Sequence, residues 1–491
     1  MYPRAPGALT CRVDTVPPVP KGARNWLTPA AWVAAITAAL LLIFPTGFPN
    51  YDTIYALVWG RELAHGQSPD YGAALPPTPH PLADLLGLVT TPIGDGAITV
   101  TMIVAYVSLA LCGYLVYRLG SIWFDRWVGA VAAAIVLTRA PFLSNGLRAY
   151  VDLPYIALCL GALTIEAKRP RAGWPVLTLL ALAGLLRPEA WGFSIAYWLW
   201  LAWNKDRSRN ELMWLGVLAL APPIVWILFD AITTGEPLYS LTGTQSTVET
   251  LDRHTGPVDV LLYGPRALGE VLQWPGMVGA LGGVVLGILY LRRRSILGIA
   301  AAVLALLAFA FLGAAGLAII ARYTMLAAAI LSIFVAVALL GWRLLEPGHR
   351  ARRAWQVFAA LVALMFVIWL PNQWDLDSRV DTDLTDQARI EDDLTDLVDA
   401  GAFEPLCGTV AVPNHRAVPR LAFGLDVKPT EIVSASEEGI PRRGYFVAPA
   451  SPFVIHNFIL DPNDPTRFSL QPPRGFREVA RNESWRVYRR C

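Results

Sequence analysis

The sequence predicts an all-α polytopic membrane protein with a small extracytoplasmic α/β domain at its C-terminus. Three observations carry that reading. Of the 491 residues, 55% are hydrophobic and only 16% charged, with a mean hydropathy of +0.45. Apolar runs of about 15 to 22 residues recur from Leu27 to Leu370, near the length that crosses a hydrocarbon core as a helix. After Pro371 the chain turns polar and acidic, with fourteen Arg/Lys against nineteen Asp/Glu from residue 372 onward. The apolar runs do not alternate, so helices rather than closed barrels satisfy the backbone in lipid.

About 11 transmembrane helices are expected, near residues 27–45, 97–117, 127–143, 152–166, 174–187, 190–203, 212–231, 271–291, 295–315, 318–341 and 355–371. This divides the chain into a cytoplasmic tail (1–24), a transmembrane domain (25–371) and an extracytoplasmic domain (372–491). With the N-terminus in the cytoplasm, the inner segments hold nineteen Lys/Arg and the outer loops seven, which fits the positive-inside rule. An odd number of spans then puts the C-terminal domain outside. The Pro-rich start, followed by a span longer than a signal-peptide core, reads as an uncleaved anchor in the plasma membrane.

The first outer loop, 46–95, is not polar filler. Ile54, Leu57, Val58, Arg61 and Leu63, then Leu82, Leu85, Leu86 and Val89, sit at near-helical spacing, predicting two short helices on the membrane surface. A second outer loop gathers Arg139, Asn145, Arg148 and Asp152. The fifth span stops short at Leu186-Arg187-Pro188-Glu189, and a third outer segment runs from Thr233 to Gln273 before Arg322-Tyr323 opens the tenth span. Beyond Pro371, an amphipathic helix over Asp381–Ala400 ends at Gly401, a natural helix stop. Short strands follow at Thr409–Val412, Glu431–Val433, Tyr445–Val447, Glu478–Ala480 and Trp485–Tyr488. Cys407 and Cys491, alone in this outer domain, are either free or joined by a disulfide in an oxidising exterior.

Asp52 stands out chemically. It lies just past the first span, where a carboxylate is costly unless it borders a watery cavity. Asp52 and Tyr55, then Ala64, Gly66 and Pro69-Asp70-Tyr71, then His80-Pro81-Leu82, resemble the first outer loop of GT-C glycosyltransferases. The Leu186-Arg187-Pro188-Glu189 span end and Arg322-Tyr323 are similar to bacterial members. This superfamily includes protein O-mannosyltransferases, aminoarabinose transferases and bacterial mannosyl- and arabinosyltransferases.

The resemblance implies an enzyme that moves a hexose or pentose from a polyprenyl phosphate donor to a cell-envelope acceptor at the outer face of the bilayer. Asp52 becomes the base that takes the acceptor's proton. Arg187, Arg322, Arg148 and His80 become candidates for the donor phosphate. Asp152 becomes the second acid, orienting the acceptor or helping to hold a divalent ion. Adjacent acids are common at the Asp52 position in relatives, whereas this chain has Asp52-Thr53, so a metal pair from that loop alone is not expected; with the phosphate neutralised by arginines, no cofactor is required and a metal is optional. Nothing suggests nucleic acid.

Bland readings stand beside these. Asp52 also serves as an N-cap for the helix at Thr53; Arg187 and Arg322 as interfacial snorkellers; Arg148 and Asp152 as a simple ion pair; His80 as a structural residue. Glu62, Asp70, Asp84 and Asp95 read as solvated loop charge. The rival function is a transporter or lipid flippase, which would place its ionisable groups near the bilayer midplane in repeated halves. Here the candidates cluster at span ends, and no repeat is visible.

Overall fold

Among the described residues, fifteen α-helices occupy the apolar part of the chain: α1 (Leu27–Ile43), α2 (Tyr51–Ala64), α3 (Pro81–Thr90), α4 (Gly96–Trp123), α5 (Arg126–Leu137), α6 (Ala140–Leu147), α7 (Asp152–Lys168), α8 (Trp174–Gly184), α9 (Glu189–Ala202), α10 (Arg209–Thr234), α11 (Tyr239–Thr250), α12 (Pro257–Tyr290), α13 (Arg292–Ala314), α14 (Met325–Leu340) and α15 (Ala351–Asp399). The computed structural model describes residues 27–203, 207–405, 407–439, 441–459, 472 and 474–491. The expected cytoplasmic tail and Lys205 lie outside these residues.

Every expected span falls on a helix, and the chain is a multi-pass membrane protein. Among the described residues six helices are long and apolar enough to cross a membrane singly, and seven spans result if α5 and α6, bent by 62°, count as one. The expected spans on α1, α7, α8 and α9 are helices of 17, 17, 11 and 14 residues, below the roughly 20 that a full perpendicular crossing needs. The Thr233–Gln273 segment is not a loop. It forms α11 and the first half of α12, which kinks at Gln273 (φ 59°, ψ 162°).

Burial orders the bundle. α14 is apolar on all sides, as a lipid-facing or a central helix can be, and it takes the central position, its apolar window being 83% buried. It packs on α4, α5, α12, α13 and α15. α2 and α3 cross at a glycine pair: a Cβ on Gly60 would lie 2.3 Å from Leu88 N, and one on Gly87 would lie 2.4 Å from Ala56 O. Only hydrogen fits at that crossing.

The two helices of the first long loop have different partners. α3 exposes Leu85, Val89 and, just beyond it, Ile93, as a membrane-surface helix should. α2 instead buries Ile54, Tyr55, Val58 and Trp59 in one core with Val410 and Tyr445 of the C-terminal sheet and Leu421 of the helix beside it. Two of the acids expected to be solvated are buried in consequence. Glu62 accepts from the Asp70 amide at 2.7 Å, and Asp84 is fully enclosed on the inner side of α3.

α15 runs unbroken for 49 residues, with Pro371 inside it, so the expected domain boundary at residue 371 falls within one helix. Just past the proline, Gln373 accepts from Arg139 Nη1 at 2.7 Å and donates to Thr138 O at 2.8 Å. It thereby pins α15 to the α5–α6 break. The helix ends before Gly401, whose φ of 71° suits glycine.

The sheet comprises β1 (Thr409–Val412), β2 (Ile432–Ser434), β3 (Gly444–Pro449), β4 (Arg477–Arg481) and β5 (Trp485–Arg490), in the order β2-β1-β3-β5-β4. β1 is parallel to β2 and β3, while β5 is antiparallel to β3 and β4. α16 (Val418–Gly424) forms the β1–β2 crossover. A disulfide joins Cys407 to Cys491 with Cα atoms 5.8 Å apart, fastening the chain end beside β1.

Candidate functional site

Asn50, not Asp52, caps α2. Its Oδ1 accepts from the amides of Asp52 and Thr53 at 2.8 and 3.2 Å, and its Nδ2 donates to Arg148 O at 2.8 Å. Thr53 Oγ1 donates to Ala149 O at 2.8 Å. The start of α2 is therefore laced to the α6–α7 turn, and the Asp52 carboxylate has no capping duty. It faces Arg322, with Nη1 to Oδ2 at 3.3 Å and both side chains about a quarter exposed (23% and 24%). The Arg322 Nε is buried without a protein partner.

A second ion cluster lies beside this pair. Arg187, at the short end of α8, donates from Nη1 to Asp152 Oδ1 at 2.5 Å and from Nη2 to Glu189 Oε1 at 2.7 Å. All three side chains are buried, with exposures of 8%, 2% and 4%. Tyr323 connects the clusters, since the Arg187 guanidinium lies 4.1 Å and that of Arg322 5.3 Å from its ring centre. Tyr150 supports Arg322 from another side at 5.0 Å.

The six predicted residues thus divide. Asp52, Arg322, Arg187 and Asp152 come together. His80, the residue before α3, is enclosed near Arg187 and Arg322, and burial, reinforced by those two cations, pushes its imidazole down to about 3. It is therefore neutral at ordinary pH. Arg148 turns elsewhere, donating from Nε to Gln387 of α15 at 3.1 Å and from Nη1 to Ser144. The expected Arg148–Asp152 ion pair is replaced by Arg187–Asp152, because α8 brings a better enclosed guanidinium to the start of α7. Among the described residues no group of three or more His, Cys, Asp or Glu is arranged to hold a metal ion.

Asn50 and Tyr150 were not singled out from sequence, and Glu189 and Tyr323 stood in the quoted motifs without a role of their own. Asn50 had a usable signal, since Asn directly before a helix is a preferred cap. Glu189 had one too, two residues beyond Arg187.

No family model matches the sequence, and no curated protein matches it significantly. Among solved structures, the chain is similar to ArnT from Cupriavidus metallidurans in the apo state, with a TM-score of 0.56 at 14% identity over 94% of this chain and 98% of that one. The chain has the GT-C fold. The chain is also similar to the archaeal oligosaccharyltransferase AglB from Archaeoglobus fulgidus, in complex with an inhibitory peptide and a dolichol-phosphate (TM-score 0.48, 12% identity, 91% of this chain and 75% of that one). Within this GT-C fold the Asp52–Arg322 pair lies where the helical bundle meets the C-terminal sheet, since Tyr51, next to Asp52, touches His415 beyond β1.

Proposed function

We propose that the protein is an inverting membrane glycosyltransferase that takes a sugar from a polyprenyl monophosphate and attaches it to an acceptor hydroxyl of a cell-envelope glycan, lipid or protein at the external face. The observation that carries this reading is the Asp52–Arg322 pair, with the carboxylate released from capping by Asn50.

Glycosyl transfer to a hydroxyl needs a fixed base on one side and cationic donors on the other. Asp52 takes the acceptor proton while the acceptor oxygen bonds to the anomeric carbon from the face opposite the phosphate. The anomeric C–O bond breaks, and its electron pair leaves with the polyprenyl phosphate. Arg322 receives that developing charge, whereas neutral His80 has one N–H and bonds the Leu186 backbone with it. The 3.3 Å Asp52–Arg322 contact is longer than a charge-assisted bond of about 2.7–2.9 Å. A donor phosphate can therefore draw Arg322 away and leave Asp52 to the acceptor.

Arg187 has a different part in this scheme. Two buried carboxylates already neutralise it, so it holds Tyr323, and through that ring Arg322, in place. Asp152 is engaged by the same arginine through Oδ1, and a divalent ion remains optional in this scheme.

The test is Asp52→Asn, which keeps size and removes the base. Purified protein given labelled polyprenyl-phosphate sugars should lose transfer by about 10²- to 10⁴-fold with an unchanged melting temperature. Undiminished transfer would defeat the assignment.

A further inference from the structure

A second cleft lies at the end of the bundle away from the Asp52–Arg322 pair. α14 begins just after Arg322 and ends at Leu340, roughly 24 Å farther along at about 1.5 Å per residue. There α14, α5 and α15 leave between them a groove of about 560 Å³. Val131 of α5, Leu340 of α14 and Ala359 and Ala363 of α15 give it apolar walls, and Trp342 and Gln356 line it nearest the helix ends.

Arg352, Gln356, Ala359 and Ala363 recur at helical spacing, so they form one stripe along α15. The Arg352 guanidinium stands 5.5 Å from the Trp342 ring centre, which puts a cation at the mouth of the groove. On α5, the Arg126 guanidinium stands 5.2 Å from the Trp127 ring centre, and Trp127 lies one turn before Val131. Among the described residues neither arginine is in an ion pair, and the exposed Gln356 amide has no hydrogen-bond partner. Paired Trp and Arg at span ends mark the level of lipid headgroups. An amide one turn deeper needs a partner that the protein does not supply.

We propose that this groove binds one anionic phospholipid of the leaflet remote from the candidate site. An acyl chain lies along Ala359 and Ala363, the Gln356 amide donates to an ester carbonyl, and Arg352 holds the phosphate with Arg126 adding to the positive field. A zwitterionic headgroup would bring its own cation into that field. Small residues at Ala359 and Ala363 also suit a contact with the helix of a second copy. A two-fold axis through the groove would, however, set Arg352 beside its own symmetry mate, with no acid among the lining residues to separate them. The site goes beyond the glycosyltransferase reading and shares no residue with it.

The test uses full-length protein, delipidated in neutral detergent and titrated with phosphatidylglycerol or phosphatidylcholine, with bound lipid counted by native mass spectrometry and melting followed in parallel. Wild type should hold one phosphatidylglycerol at a concentration that leaves phosphatidylcholine unbound, and should melt higher with it. Arg352→Gln should weaken that binding by about tenfold or more, the size of a lost charge-assisted contact, and Gln356→Leu should weaken it several-fold. Ala363→Phe fills the groove and should abolish lipid retention while the lipid-free melting temperature stays at or above that of wild type. Arg209→Gln, at the same end of the bundle but on α10, which packs on α8 and α9, should bind as wild type does. The proposal is overturned if wild type takes up both lipids alike, if a folded Arg352→Gln retains phosphatidylglycerol like wild type, if Arg209→Gln weakens binding as much as Arg352→Gln, or if the lipid-free protein is a dimer that Ala363→Phe dissociates. The readout is lipid bound and not sugar transferred, so it stands or falls separately from the Asp52→Asn result.

Discussion

At Asn50 the identity of the cap decides what Asp52 is free to do. Replacing Asn50 by Ala should cost about 1 kcal/mol of stability and pass the cap to Asp52, so turnover should fall further than the melting temperature implies. Parallel thermal melts and transfer assays check this. His80 gives a pH signature with a definite sign. Its folded value is held down to about 3, against about 6.5 when unfolded, so between those values the unfolded chain binds the proton that the native chain refuses. Stability is complete above about pH 6.5 and falls as pH drops toward 3, by up to about 1.4 kcal/mol per pH unit. His80→Gln should flatten that slope in melts taken from pH 7 to 4. Asp52 and Arg322 were legible in the sequence because isolated charges at the edges of apolar runs are conspicuous. The Arg187–Asp152 pair was not, since its members are 35 residues apart and only the folded bundle chooses Arg187 over Arg148 as the partner of Asp152. Asp84 was misread for a related reason: a loop charge looks solvated until a neighbouring helix covers it.

Among the elements, α2 is gripped by the β1–β2 crossover of the C-terminal domain. Arg61 donates to the carbonyls of Phe423, Ala422 and Val427 at 2.9, 2.9 and 3.3 Å and pairs with Asp426 at 2.9 Å. Asp70 accepts from the Thr430 amide at 3.0 Å. Arg61→Ala should therefore loosen the docking of the sheet on α2, seen as faster limited proteolysis after Gly424, together with a several-fold loss of transfer as Asp52 loses its fixed setting. The positions of the helices were readable from hydropathy, but their surroundings were not. α13 and the α14 region have similar hydropathies, 2.7 and 2.5, yet are 28% and 83% buried, because an apolar side chain looks the same whether it meets lipid or protein. The strands were readable to within a few residues from their β-branched and aromatic runs. Their order was hidden, since β1 pairs with β2 and β3 through contacts that no local pattern encodes.

For the whole molecule, the disulfide and α15 bind the two ends of the sheet unit into the structure. The Cys407–Cys491 bridge closes a loop of 84 residues, and its removal by Cys491→Ser should lower the stability of the sheet unit by about 2–4 kcal/mol. A reductant should reproduce that shift in the wild type and leave the variant unmoved. α15 has a mechanical consequence as well. At about 1.5 Å per residue its 49 residues make a mast roughly 75 Å long, with its foot among lipid chains and its head under the sheet. A tilt of about one degree at the foot displaces the head by roughly 1.3 Å on that length. Because Trp485 of the sheet donates to Ile390 O of the same helix at 2.9 Å, a membrane that changes the tilt of α15 should shift the sheet unit against the bundle.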